Sequence, residues 1–380
     1  MFDYESLKLI WWLIIGILLI GFAVTDGMDM GVGGLLPFVA KDDTERRVVI
    51  NTIAAHWDGN QVWFITVGAS LFAAWPMVYA TAFSGFYFAM MLTLFCLFLR
   101  PLGFDYRSKI DSPTWRYNWD KALFVGSMVP SLVFGVAFGN LLQGVPFSFD
   151  EFMRVTYTGS FLALFNPFAL ISGVVSVSMM LMHGATWLSM RTDEHVAARS
   201  AKAAQIFSAV LVVSFSLAGL MIATSIDGFI IQNTIDPLAL AQPTTTKVVV
   251  TATGAWLNNF NAHPILWLLP TTGIVMAVIA GLLARFKPGG LAFTASALSI
   301  AGVILTMGFS MFPFIMPSSS MPNHSLTLWD AVSSEKTLNI MLIVVVVFLP
   351  IILCYTAWCY KKMWRTVTRE EIEDNNYTSY

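Results

Sequence analysis

The sequence predicts an all-α fold, a polytopic transmembrane helical bundle of about nine helices. Hydrophobic residues make up 57% of the 380 and charged residues only 12%, against roughly 25% charged in a soluble domain whose surface must face water. The mean hydropathy is +0.70. Apolar runs of the roughly 20 residues needed to cross a bilayer core as a helix recur along nearly the whole chain. The short alternating strands of a β-barrel do not appear.

Taken in order, helices are expected near residues 9–28, 50–75, 78–99, 122–144, 160–188, 204–226, 263–284, 291–315 and 338–360. The first is preceded by Asp3 and Glu5 where a signal peptide would carry basic residues, and no small-residue cleavage site ends it. It is therefore expected to stay as the first helix. The second differs from the rest, because His56, Trp57, Asp58, Asn60 and Gln61 sit among its apolar residues. The longest connector, about 227–262, holds Pro237, Pro243 and the run Thr244, Thr245, Thr246, and has the length of a small extramembrane cap. The transmembrane domain is expected to cover 1–362 and a polar tail 363–380.

With nine crossings, the loops on one side carry 17 of the 21 basic residues, including Lys41, Arg46, Arg47, Arg107, Arg116, Arg199 and Lys362. The other side has Lys8, Arg154, Lys247 and Lys336. The positive-inside rule then places the N-terminus, and the 227–262 loop with it, outside in the periplasm and the C-terminus in the cytoplasm. If the second segment did not cross, the split would fall to 15 against 6. The net charge of −2 suggests no nucleic-acid partner. Cys96, Cys354 and Cys359 lie in or beside apolar segments without metal-site or disulfide spacing, and read as packing residues.

Chemistry is concentrated in two places. The end of the first helix reads Thr25-Asp26-Gly27-Met28-Asp29-Met30-Gly31-Val32-Gly33-Gly34. Asp26 and Asp29 are three apart and project from one helix face. Their glycine neighbours thin the helix, so that another backbone can approach. Acids within a bilayer are expensive and commonly serve proton or ion movement. The alternative is a wetted cytoplasmic helix end whose acids pair with Arg46 or Arg47. The second place is His56-Trp57-Asp58-Gly59-Asn60-Gln61-Val62-Trp63, where His56 and Asn60 share one face and Asp58 and Gln61 another. A buried Asp58 would take up and release protons near neutral pH, which makes it the leading relay carboxylate, with Asp29 and Asp26 next. A polar clamp between helices is the competing reading. Arg100, with Asp105 shortly after it, could anchor an interface or extend to the membrane surface. The five histidines offer no pair at mid-membrane depth for a haem.

Several ordered blocks resemble subunit II of the cytochrome bd-type quinol oxidases. They include Gly21-Phe22-Ala23-Val24-Thr25-Asp26-Gly27-Met28-Asp29-Met30-Gly31, the His56–Trp63 run, Arg100-Pro101-Leu102-Gly103-Phe104-Asp105-Tyr106-Arg107 and Met311-Phe312-Pro313-Phe314-Ile315-Met316-Pro317-Ser318. The resemblance spans essentially the chain and is strongest to proteobacterial members. It implies a bacterial inner-membrane protein of nine helices that packs in pseudo-twofold fashion against a haem-bearing subunit I. The complex would oxidise quinol, reduce O₂ to water and contribute to proton-motive force. Haem b and haem d would be ligated in subunit I, with Arg100 and Asp105 supporting the interface or a haem. Small single-helix subunits would join, and some members hold a ubiquinone in subunit II. The resemblance also implies a cytoplasmic proton path through Asp58, Asp29 and Asp26, with His56 and Trp57 beside it. A proton-coupled secondary transporter is the rival, although the Asp-Gly-x-Asp pattern does not recur in the second half to mark an inverted repeat.

Overall fold

Helix α1 (Tyr4–Val39) is 36 residues long, about 54 Å at 1.5 Å per residue, so it overruns a hydrocarbon core of about 30 Å. Asp3 starts it by accepting the Ser6 N–H at 2.7 Å. The computed structural model describes residues 2–242, 247–286 and 290–374, apart from the side chain of Glu194. Pro243, the Thr244–Thr246 run, Lys287 and the last six residues of the tail lie outside the described residues.

The expected second helix is two elements. α2 (Asp43–Asn51) is separated from α3 (Trp57–Ala74) by a turn that places His56 just before α3. No proline or glycine lies between Thr52 and His56, so contacts from elsewhere in the fold decide this break. The expected third helix is likewise α4 (Pro76–Gly85) followed by α5 (Tyr87–Tyr106). The junction of α3 with α4 has a local cause: Pro76 has no N–H to continue α3 and disfavours helical geometry at Trp75.

Six helices follow in turn: α6 (Pro113–Gln143), α7 (Pro167–Arg191), α8 (Glu194–Thr224), the short α9 (Asn258–Ala262), α10 (Leu268–Leu283) and α11 (Gly290–Met311). α7 begins later than its apolar run because Asn166 caps it, accepting the Ala169 N–H at 2.9 Å, with Pro167 at the first helical position. α11 stops at Met311 because Pro313 follows. The chain closes with α12 (Glu335–Lys362) and α13 (Arg369–Asp374).

Among the described residues, eight helices are long and apolar enough to cross a membrane. The ninth expected crossing, α3, falls short in hydropathy because its first turn carries Asp58, Asn60 and Gln61. Its 18 residues nevertheless cover about 27 Å. It runs from Asp29, which Asn60 contacts, to the carbonyls of Ala73 and Ala74, which accept from Ser333 near Tyr4.

α1 packs against α3, α6, α7 and α11 and forms the axis of the bundle. Its closest crossing is with α7 at Gly31 and Gly184. A Cβ on Gly31 would strike the Met180 carbonyl, and one on Gly184 would meet the Gly31 backbone. Glycine at both positions is therefore what lets the two backbones touch.

The end holding Tyr4 is covered by three antiparallel hairpins: β1 (Phe147–Phe149) with β2 (Val155–Tyr157), β3 (Asp227–Ile231) with β4 (Val249–Thr253), and β5 (Phe314–Met316) with β6 (Leu326–Thr327). Lys8 is buried beneath this cover and donates to the carbonyls of Pro237, Ala239 and Trp329. Beside it Lys247 and Asp330 form a buried pair at 2.5 Å. At the opposite end an ionic network ties α2, α5 and α6 together. Arg107 reaches Asp120 at 2.6 Å and Asp43 at 2.8 Å, and Arg46 reaches Asp120 at 2.8 Å.

A buried acid pair under the last helix

Asp26 and Asp29 are both fully enclosed, on the face of α1 near its contact with α7. Their neighbours differ. Asp26 Oδ1 accepts from Arg100 Nη2 at 2.6 Å, and Arg100 is itself buried. Asp29 Oδ2 accepts from Asn60 Nδ2 at 2.8 Å, and His56 Nδ1 stands 3.9 Å from its other oxygen. Among the described residues, Asp26 Oδ2, Asp29 Oδ1, Arg100 Nε and Nη1 and His56 Nε2 are buried without a hydrogen-bond partner. Buried polar atoms ordinarily find partners, and ordered water supplies those the chain does not. The five atoms are gathered in one cluster, where ordered water could pair with them. The cluster contains two carboxyl groups and one guanidinium, so its charge balances when one carboxyl holds a proton. An uncompensated ion in such surroundings costs several kcal/mol.

The last crossing helix, α12, closes the site. Tyr360 Oη donates to Asn60 Oδ1 at 2.8 Å, and its ring stacks on His56 with centroids 4.7 Å apart. Trp187 of α7 packs edge-on against both rings. Arg191 lies between Trp187 and Trp364 and donates to the Met363 carbonyl at 2.6 Å.

Asp58 departs from the sequence expectation. It is exposed rather than buried, because α3 turns His56 and Asn60 inward and Asp58 outward. It heads a stripe of exposed residues, Val62, Ile65, Ala69 and Phe72, at alternating spacings of four and three. Trp57 packs on Phe104 with ring centroids 5.5 Å apart, and Asp105, next to Phe104, is also exposed. Arg100 corrects its expectation too. It neither faces an interface nor extends to the surface, but turns into the core because Asp26 is there. Asp26 and Asp29 make no pair with Arg46, which binds Asp120 instead. Tyr360, Trp187 and Arg191 had no signal in the sequence, since nothing local brings residue 360 beside residue 60.

Residues 7–363 match the family of cytochrome bd terminal oxidase subunit II. The chain belongs to that family. This subunit II is similar to the cytochrome bd-I ubiquinol oxidase subunit 2 of Escherichia coli strain K12, with 57% identity over 380 residues and the whole of both chains covered. It is 54% identical to a probable cytochrome oxidase subunit 2 of Haemophilus influenzae, again over the full length of both. Its fold resembles that of a bd oxidase chain from Geobacillus thermodenitrificans, with a TM-score of 0.69 and 14% identity over 94% of this chain and 99% of that one.

Both ring nitrogens of His183 are engaged, by Ser296 at 2.6 Å and by the Val24 carbonyl at 3.0 Å, and its ring stacks on Phe293. His56 is held under Tyr360, and His324 Nδ1 accepts the Phe149 N–H at 3.0 Å. His195 and His263 are exposed.

Proposed function

We propose that this subunit II carries protons from the cytoplasm through Asp29 and Asp26 toward the oxygen-reducing site of a cytochrome bd-type quinol oxidase. The chain is a subunit of such an oxidase complex, by its family. The observation that carries the proton reading is the enclosed acid pair with a single guanidinium, since it can hold a proton at a fixed depth in the protein.

The proposed orientation puts the ionic network, α13 and the Tyr360 end of α12 in the cytoplasm of a bacterial cell, and the hairpin cover in the periplasm. Tyr360 and His56 then stand on the cytoplasmic side of Asp29. Asn60 fixes the Asp29 carboxyl, and Arg100 binds Asp26 beyond it. Haem b and haem d belong to the partner subunit I in this reading, as the resemblance to the family implies. Asp58 and Asp105 sit on outward faces among apolar side chains, and a carboxylate against lipid is expensive. That face is therefore assigned to subunit I, where Asp58 would continue the path across the interface. Small single-helix subunits and a bound ubiquinone belong to the same proposal. No observation favours a secondary transporter.

The test is Asp29→Asn in the whole complex, reconstituted in vesicles. Oxygen consumption and proton uptake from the cytoplasmic face should both collapse while the haem spectrum stays that of the parent. Parent-like uptake in that variant would refute the path.

A further inference from the structure

The last crossing helix is the least embedded in the bundle. The most apolar 18-residue window of α12 has none of its residues buried. Its attachments lie at its ends. Near the start, Trp11 Nε1 donates to the Leu338 carbonyl at 3.1 Å. At the other end the chain is strapped down four times in ten residues. Tyr360 binds Asn60, Met363 accepts from Arg191, the Val367 N–H donates to the Arg191 carbonyl at 2.9 Å, and Arg369 pairs with Asp42 at 2.9 Å. This fastening holds one hydroxyl, that of Tyr360, against the amide that touches Asp29.

We infer that Tyr360 is a positioning residue for Asp29, acting by staying bonded to whichever end of the Asn60 amide is turned away from the carboxyl group. The inference rests on the proton-path reading above. An amide side chain has a donating end and an accepting end. With Tyr360 Oη donating to Oδ1 at 2.8 Å, Nδ2 is left to donate to Asp29 at 2.8 Å. That arrangement suits a carboxylate, which only accepts. A protonated Asp29 has a hydrogen to donate and needs an acceptor. The same amide turned over would offer Oδ1 to the acid and Nδ2 to Tyr360 Oη.

A hydroxyl serves both states, because it donates in one and accepts in the other. Each arrival or departure of the proton is then matched by one rotation of Asn60, which exchanges its bonds to Tyr360 and Asp29 and gives up the contact of Nδ2 with His56 Nδ1. Among the other charged or titratable groups around the site, His56 also bears on the amide. His56 has its ring held by Tyr360 and Trp187 and meets Asn60 Nδ2 through Nδ1 at 3.1 Å. Arg100 of α5 is engaged with Asp26 of α1, and Arg191 of α7 with Met363.

The variant Tyr360→Phe keeps the ring on His56 and removes only the hydroxyl. In the intact complex it should retain the haem spectrum and subunit content. Turnover should fall by about three- to tenfold, the scale of one lost hydrogen bond. The solvent deuterium isotope effect on turnover should rise, which a packing role alone would not cause. Parent-like turnover and isotope effect in Tyr360→Phe, beside an inactive Asp29→Asn, would overturn the role of Tyr360 and leave the path standing. Parent-like turnover in Asp29→Asn would instead remove the path itself. An infrared measurement on the parent complex needs no variant. With isotope-labelled asparagine, loss of the Asp29 acid carbonyl band on raising the pH should be accompanied by an amide shift, and its absence would overturn the inference.

Discussion

Arg100 Nη2 lies 2.6 Å from Asp26 Oδ1, with both side chains removed from solvent. They are 74 residues apart in sequence and belong to different helices, α5 and α1. The pair neutralises one of the two enclosed acids and leaves Asp29 with neutral donors.

Removing one partner should be worse than removing both. Arg100→Met leaves Asp26 uncompensated and is expected to destabilise the fold by about 3–5 kcal/mol, whereas the double variant with Asp26→Leu recovers most of the loss. Thermal unfolding of the purified complex, followed through its haem absorbance, checks this.

Asp29→Asn should lower oxygen-reduction turnover by roughly 100-fold or more, the scale of a lost proton-transferring group. Complex yield and spectrum should be unchanged, since Asn60 can still bond to an amide.

Gly31→Ala should destabilise by about 1–3 kcal/mol, because the added methyl would collide with α7 backbone rather than with a movable side chain. Gly16→Ala is the matched control, as nothing lies within 4 Å of its added Cβ. Denaturant titration in detergent should separate the two.

Acid should loosen the strap at the Tyr360 end of α12. Burial pushes the Glu45 carboxyl upward, but the Arg199 guanidinium and the Lys41 N–H outweigh it and hold the group below its usual value. Asp42 is likewise held low, its burial outweighed by the Glu45 N–H and Arg369. For a lowered carboxyl, the stabilisation is complete above the unfolded value, about 3.9 for Asp and 4.3 for Glu. It is lost as the pH falls through the lower folded value. Amide exchange in residues 42–51 and 365–374, corrected for intrinsic rates, should therefore rise below about pH 4 and stay flat between about pH 5 and 8.

If the outward stripe of α3 meets subunit I as proposed, Val62→Arg should reduce co-purification of that subunit. A charge there cannot be desolvated against a packed helix without several kcal/mol of loss. Densitometry of the two subunits after affinity capture measures it.

Helix existence was legible wherever an apolar run was long, and so was the end at Pro76, whereas the expected ranges 160–188 and 291–315 ran through Pro167 and Pro313, where the structure starts α7 and has already ended α11. The break before His56 was not legible either, because no residue there disfavours a helix. The side chains of His56 and Asn60 turn inward to Tyr360 and Asp29, and that decides it. Spacing correctly placed His56 and Asn60 on one face, but gave no means of telling which face was buried, so Asp58 was expected inside and lies outside.

By itself the sequence determined that this chain is a membrane-embedded helical bundle, and its ordered blocks pointed to the subunit II family. Both rest on local features, since hydropathy sums over neighbours and a motif is read where it stands. Only the tertiary structure decided that Arg100 neutralises Asp26 and leaves Asp29 to Asn60, and that Tyr360 lies over them. Those contacts join α1, α3, α5 and α12 across as many as 300 residues, and burial energy, unlike helix propensity, depends on what the rest of the chain brings to the same place.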